Sequence, residues 1–497
     1  VTAGWGDLST DGYNFFFSLE GAKTDRIKLT DRRNRKWIGT GDTRPWGYGI
    51  GGNLPGRITG GGTGAGGGPT GAVEDPATHL FASLPGCSQF SDVSPQDPAG
   101  GCLWDVAQFR DLTPEESYVN LFTRGTFAIN DNAELYTEFS YSKKKSEFHN
   151  TPSGVSGAWG YPGGPVSANS GPGATVLGAD HPDNPYGAAA RLRYTAFDVG
   201  PRTNSTDMDF VRFLAGVKGT AGAWDYDVGY LHSQTRLTNE RNGFLQYSHV
   251  LTALSDPNSP VGYWRIGANS HLNSQALYDY IAPTISSKGS SDLDIVDAKV
   301  SRSLADLRGG ALGLAVGAEY RRQSVSLTPT TFTDLGDIIG LGYSAYDGTE
   351  EIASAYAELV APVLETLELT GALRFDSYKD GDNSTTPKVG IKWKPVDWLA
   401  LRATYAEGFR APNAAESGDG GIAAFSTAVD PVRCAAPGHE PQDCNANNVA
   451  IITSPNPDLK PEKSKSYTVG LVFEPTSSTS LTLDAFRIKR EDEIFGG

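Results

Sequence analysis

Between Thr386 and Pro412 the chain reads TPKVGIKWKPVDWLALRATYAEGFRAP, and apolar and polar positions alternate along it. Val389, Ile391 and Trp393 fall on one side of an extended segment, with Lys388, Gly390, Lys392 and Lys394 on the other. Pro395, Val396 and Asp397 are expected to turn the chain, since proline fixes φ and cannot continue a ladder. Leu399, Leu401, Ala403 and Tyr405 then alternate with Arg402, Thr404 and Ala406. Period-2 patterning of this kind predicts strands with two unlike faces. Each arm has about the length, roughly 9–11 residues, that crosses a bilayer when tilted. The segment therefore predicts one hairpin of a membrane barrel, its apolar face toward lipid and its charged face toward the lumen.

The pattern recurs along the chain. Tyr13–Lys23 is aromatic and strand-like, and a long loop follows it. Tyr118–Ala128 then pairs with Ala133–Lys145, Met208–Lys218 with Trp224–Arg236, and Asp294–Leu304 with Ala311–Val325. Ile352–Ala361 pairs with Leu367–Tyr378, and Ser466–Glu474 with Ser480–Lys489. In Leu367–Tyr378 the set Leu367, Leu369, Leu373 and Phe375 opposes Glu368, Thr370, Arg374 and Asp376. Connections within pairs are short, and most of those between pairs are long. Short turns at one end and long loops at the other are the pattern of outer-membrane barrels. A soluble propeller would repeat at a fixed period of about 40–50 residues, and the spacing here is irregular. The fold class predicted is all-β: a transmembrane, antiparallel, up-and-down β-barrel over residues 1–497. VTAGWGDL reads as a strand under way and EDEIFGG follows a strand with nothing to close it, so the barrel is expected to be incomplete at both ends. Trp393, Trp398, Tyr405, Phe409, Tyr467 and Phe473 lie near strand ends, either as an interfacial girdle or as ordinary sheet packing.

Composition narrows the classes further. Hydrophobic residues make up 38% of the chain, and no run approaches the roughly 18 apolar residues of a membrane helix. The net charge of −16 argues against nucleic acid as a partner. It fits large solvated loops, or else an acidic mouth that attracts cations. Four cysteines fall in two close pairs, Cys87 with Cys102 and Cys434 with Cys444, in polar segments rich in proline and glycine. Two loop-local disulfides formed in an oxidising compartment are the favoured reading. Four free thiols, or zinc held by Cys434, Cys444 and His439, are the alternatives. GGGTGAGGG lacks the Gly-Lys-Ser/Thr ending of a phosphate loop. The seven histidines are scattered, with no metalloprotease spacing and no Gly-x-Ser-x-Gly elbow. No enzyme, cofactor or metal centre is expected.

Two late segments carry a family resemblance. Leu399–Pro412, LALRATYAEGFRAP, and Asn456–Thr468, NPDLKPEKSKSYT, resemble signatures in the barrels of TonB-dependent outer-membrane receptors. The motif residues are Phe409, Arg410, Ala411 and Pro412 in the first, and Asn456, Pro457, Leu459, Pro461 and Glu462 in the second. DPVRCAAPGHEPQDC resembles the cysteine-bearing extracellular loop of one proteobacterial branch, and GDLSTDGYNFFFSLEG an early strand pair of it. On the residues alone, Pro412 stops a ladder, Phe409 suits an interface, and Arg410 can face the lumen or lipid phosphates. Bracing of the fold is the reading favoured for both motifs.

The resemblance implies a parent of about 22 strands with an N-terminal plug that contacts the TonB energy-coupling complex; the plug is expected to be absent from this chain. It implies energised uptake of a scarce nutrient across the outer membrane of a Gram-negative cell. The nutrient would be a siderophore, vitamin complex, oligosaccharide or peptide, and the barrel would face outer-membrane lipid. A passive porin or a surface adhesin is the alternative. Trp37, Trp46, Tyr48, Trp104, Trp159, Tyr161, Tyr263 and Trp264 are candidate ligand contacts, since flat rings suit both sugars and chelates. The competing reading is that they pack the loops on each other.

Overall fold

The computed structural model describes residues 1–32, 57–58, 71–84, 104–105, 109–155, 176–379, 383–438, 444 and 447–495. One antiparallel sheet of sixteen strands dominates. It opens with β1 (Thr2–Trp5), β2 (Tyr13–Thr24), β3 (Glu115–Asn130), β4 (Ala133–Asn150), β5 (Arg202–Ala221) and β6 (Trp224–Asn242). It continues through β7 (Ile285–Leu307), β8 (Gly310–Leu327), β9 (Tyr343–Leu364), β10 (Leu367–Tyr378), β11 (Asn383–Val396) and β12 (Leu399–Arg410). A side hairpin, β13 (Asp419–Ala428) and β14 (Asn447–Thr453), hangs on β9. The path resumes with β15 (Glu462–Thr476) and β16 (Thr479–Glu491). Apart from that hairpin each strand pairs with its neighbours in chain order, and among the described residues no pairing joins β1 to β16.

Two-residue turns close one end of the sheet, as at 131–132, 222–223 and 397–398. Gly222 holds φ at 63°, the left-handed value that such hairpin turns demand and that glycine adopts without strain. Pro395 is not in a turn, contrary to expectation. It sits at the register shift between Trp393 and Val396, where a proline removes no regular ladder bond.

The register makes each face continuous. Leu367 lies opposite Trp393, Trp393 opposite Leu401, Leu401 opposite Leu471, and Leu471 opposite Leu483. Leu369, Ile391, Ala403 and Val469 form the next row. Directly opposed residues share a face, so Leu367, Leu369, Leu373, Phe375, Val389, Ile391, Trp393, Leu399, Leu401 and Tyr405 lie together. Arg374, Asp376, Lys388, Lys392, Arg402 and Thr404 lie together on the other side. That second face is knit by ion pairs: Arg212 to Glu138 at 2.9 Å, Lys218 to Glu134 at 2.7 Å, and Arg402 to Asp484 at 2.7 Å.

The apolar face is a band with marked edges. On β6 its outward residues are Trp224, Tyr226, Val228 and Tyr230, and then His232 and Gln234. At the loop-side edge Tyr141, Tyr230 and Tyr320 donate their hydroxyls to Asp209, Asp294 and Glu351, at 3.2, 2.8 and 3.1 Å. Tyr405 donates to Glu407 in the same way. At the turn-side edge Trp398 packs edge-on against Phe473, centroids 5.5 Å apart. Aromatic rings with wet polar tips at both limits of an apolar band are the mark of two lipid–water interfaces. Val228, Val300, Val316, Leu369, Val389 and Ile391 are exposed within the band, a burden that lipid relieves and water does not.

Candidate functional site

The buried core lies in the loops, at the end opposite the short turns. Segments 71–84, 151–155, 176–200 and 243–284, with Ile339, meet in one cluster. Two helices help build it. In α1 (Tyr247–Ser255) the residues Tyr247, Val250, Ala253 and Leu254 are buried, a helical stripe. In α2 (Gln275–Ile281) Leu277 and Ile281 are buried, and the Ser274 hydroxyl accepts from the Leu277 amide at 3.2 Å, capping the N-terminus.

Trp264 stands at the centre, 0% exposed. Its indole N–H donates to Asp198 at 2.9 Å, and the Tyr194 hydroxyl donates to the same carboxylate at 2.9 Å. Tyr278 adds a third donor at 3.2 Å. Burial of the carboxyl group pushes Asp198 above its usual range, and these donors oppose that shift. Nearby, Arg265 clamps Asp183 through Nε at 2.9 Å and Nη2 at 2.6 Å. His181 is buried; its Nδ1 accepts from the Asp183 amide at 3.1 Å, so its Nε2 donates to the Trp264 carbonyl at 3.0 Å. Burial pushes the His181 imidazole below its usual range, with the Trp264 hydrogen bond opposing.

A histidine held neutral loosens its fold when the unfolded form gains the proton first. The His181 contribution to cap stability is therefore flat above about pH 6.5, the ordinary histidine value, and falls as pH drops through it toward the lower folded value, while the raised Asp198 contributes in the opposite sense. Backbone protection factors in 243–284, exchange rates taken relative to the intrinsic rate at each pH, should fall on acidification from about pH 7.5 to 5.5, and His181→Gln should flatten that response. An unchanged pH response in the variant would place the cause elsewhere.

Of the eight aromatic candidates, Trp264 is corrected: it has no surface to offer a ligand and serves as the keystone of the loop core. Tyr263 beside it is half-buried, its ring edge-on to His181 with centroids 5.0 Å apart. Trp104 lies in a two-residue strand, and its side chain is outside the description. Trp37, Trp46, Tyr48, Trp159 and Tyr161 lie outside the described residues, as do Cys87, Cys102 and His439. Cys434 and Cys444 form a disulfide with Cα atoms 4.6 Å apart. That leaves neither thiolate for the zinc alternative.

The two motif segments meet. Arg410, the last residue of β12, donates to Glu416 at 2.7 and 3.0 Å and to Glu462, the first residue of β15, at 2.8 Å. Glu416 lies in α3 (Ala414–Ser417), whose Asn413 cap accepts from the Ala415 and Glu416 amides while Glu416 reaches back to the Asn413 amide. The Asn456 amide donates to the Glu416 carbonyl at 2.7 Å. Within the second motif the Asn456 side chain accepts from the Asp458 amide at 2.9 Å. Arg410 lies on the face of Arg402 and Thr404, the lumen side, and there it ties the start of a long loop to its return.

Arg410→Met should cost about 1 kcal/mol, a modest figure because the triad is half-exposed. The Arg410 guanidinium holds the Glu416 carboxyl below its usual range. The loss should therefore be full at neutral pH and shrink as pH falls below about 4, where unfolded carboxylates gain protons. Paired melting curves at pH 7 and about pH 3 test this; equal losses at both would contradict it.

Comparison with known proteins supplies the last element. Residues 92–496 match the family model described as TonB dependent receptor-like, beta-barrel. A curated relative, the probable TonB-dependent siderophore receptor PirA of Acinetobacter baumannii, is 26% identical over 147 residues, 29% of this chain and 18% of that protein. The crystal structure of the siderophore receptor PirA from Acinetobacter baumannii gives a TM-score of 0.48 at 13% identity, covering 99% of this chain and 49% of that one. A ferric enterobactin receptor PfeA from Pseudomonas aeruginosa gives 0.47 at 12% identity, covering 97% and 49%. The chain thus spans about half the length of these solved relatives. With its matched span covering most of the sequence, the chain belongs to the TonB-dependent receptor-like β-barrel family, proteins of the Gram-negative outer membrane.

Proposed function

We propose that this chain is the barrel part of a receptor that captures a scarce small molecule at the cell surface and imports it with energy delivered through a plug domain. On this reading residues 1–497 are a partial barrel domain, and the energy-coupling TonB complex acts on the plug, outside this chain. The observation that carries the reading is the membership of residues 92–496 in the receptor barrel family. The polar, ion-paired inner face supports it, since it makes a wet lumen that an unplugged barrel of this size would leave open. The cored loop cap supports it too: it is a rigid platform at the end where ligand arrives, and binding residues tend to sit on loops held by a scaffold.

A siderophore is the ligand class favoured, because the curated relative is a probable siderophore receptor. Tyr263 and the loop aromatics Trp37, Trp46, Tyr48, Trp104, Trp159 and Tyr161 are the proposed contacts. Uptake of a labelled ferric siderophore by cells bearing the full-length gene should collapse when a protonophore dissipates the proton gradient. Uptake that ignores the protonophore would favour a passive porin.

A further inference from the structure

We propose that the lipid-facing wall of β3, β4 and β5 holds a site for a phosphorylated glycolipid of the outer leaflet, with Lys143 and Lys145 as its phosphate contacts. The site lies on the outside of the sheet and is separate from the polar inner face. Along the outward side of β4 the order is Phe139, Tyr141, Lys143 and Lys145. That is the order of a lipid monolayer: acyl chains, the boundary where a tyrosine tip is wet, then headgroups. Phe213, opposite Phe139 on β5, and Val119, opposite Lys143 on β3, are both exposed. Apolar surface thus reaches up to the first ammonium.

Two concavities on this wall meet at Lys145. The membrane-side one, about 590 Å³, is lined by Gly21, Val119 and Tyr141, with Lys23, Lys143 and Lys145 as its charged residues. The loop-side one, about 620 Å³, shares Ser117 and Lys145 and adds Arg236 and carboxylates that include Asp207, Glu147 and Glu240. The lysines are held in place. Lys143 donates to both oxygens of Asp209 at 3.1 Å, and Lys145 stands 3.0 Å from Asp207. Asp209 also accepts from the Tyr141 hydroxyl at 3.2 Å. The Lys143 and Lys145 side chains remain 39% and 60% exposed. An ammonium fixed on one side and wet on the other keeps a donor for a phosphate oxygen, and less freedom is lost when that donor is engaged. The acyl chains then lie over Val119 and Phe139, and the sugar hydroxyls donate to carboxylates of the loop-side concavity. A pattern of paired charges alone would suit water equally well; the apolar floor beneath the lysines is what selects an amphiphile.

The test uses the full-length protein in detergent, with bisphosphorylated lipid A and the same lipid stripped of its phosphates, bound lipid being counted by native mass spectrometry. Wild type should prefer the phosphorylated form by about tenfold or more, the worth of a charge-assisted hydrogen bond. Lys143→Met combined with Lys145→Met should abolish the preference. Lys145→Gln alone, which leaves the Lys143 pair with Asp209 intact, should lower it by about threefold or more. Lys144→Met should keep it, because Lys144 points to the other face, where Glu116 lies at 3.0 Å. Glucosamine 6-phosphate, a sugar phosphate without tails, should not displace the lipid at equal concentration. Equal binding of the two lipids, a preference intact in both Lys145 variants, or one lost in Lys144→Met would each overturn the proposal. Displacement by glucosamine 6-phosphate would make the ligand a free sugar phosphate and overturn the lipid assignment.

Discussion

Placing an arginine at Ile391 is expected to destabilise the full-length protein in lipid by about 2–4 kcal/mol, the cost of a cation on the lipid face near mid-bilayer. Ile391 lies between Leu369 and Ala403 on the neighbouring strands, with Val389 and Trp393 before and after it on its own face. It is 43% exposed, so its outward side is open to lipid. Lys392, one residue on, points to the charged face. Lys392→Met should therefore cost under about 1 kcal/mol, as removal of a solvated surface charge does. Urea titrations of both variants in lipid vesicles give the comparison. A smaller penalty for Ile391→Arg than for Lys392→Met would invert the two faces, because a one-residue slip in register exchanges them.

Trp264→Ala should cost about 3–5 kcal/mol, the usual range for emptying a buried tryptophan site. The loss has two sources. A large cavity opens between Tyr194 and the helices of the cap, and Asp198 loses its indole donor. The damage should stay local, since the cap and the long sheet are separate packing units and such units open independently. Hydrogen exchange should rise sharply in 176–200 and 243–284 while β6 to β8 keep their protection. Trp264→Phe, which retains a ring and loses the donor, should fall between the two. Full cap protection in Trp264→Ala would return Trp264 to the list of ligand contacts.

The membrane-crossing part of the fold was legible because lipid imposes a strict alternation. The rows of Leu367, Ile391 and Leu401 could be read directly. Above the tyrosine edge the same strands run on: β7 has 23 residues and β9 has 22. There both faces are polar, as at Lys143, Asp209 and Asp294, so the period-2 signal vanishes although pairing continues. Stretches such as 285–292 and 343–350 therefore read as loop. The cap was hidden for another reason. Its core draws on five separate segments, and each alone offers only a few apolar residues between glycines and prolines. The stripe of Val250, Ala253 and Leu254 was the available clue. Arg410 and Glu462 were visible as motif residues, but their contact joins positions 52 apart in sequence, which no local pattern encodes.

Single-channel recording of the full-length protein in planar bilayers separates a plugged receptor from an open pore. The inner face is charged and ion-paired, so the lumen is wet, and only an occluding domain can keep ions from crossing it. Little or no steady conductance is expected from the intact protein, with opening on removal of the proposed plug domain. Steady, high conductance from the intact protein would contradict an energised receptor and identify a porin.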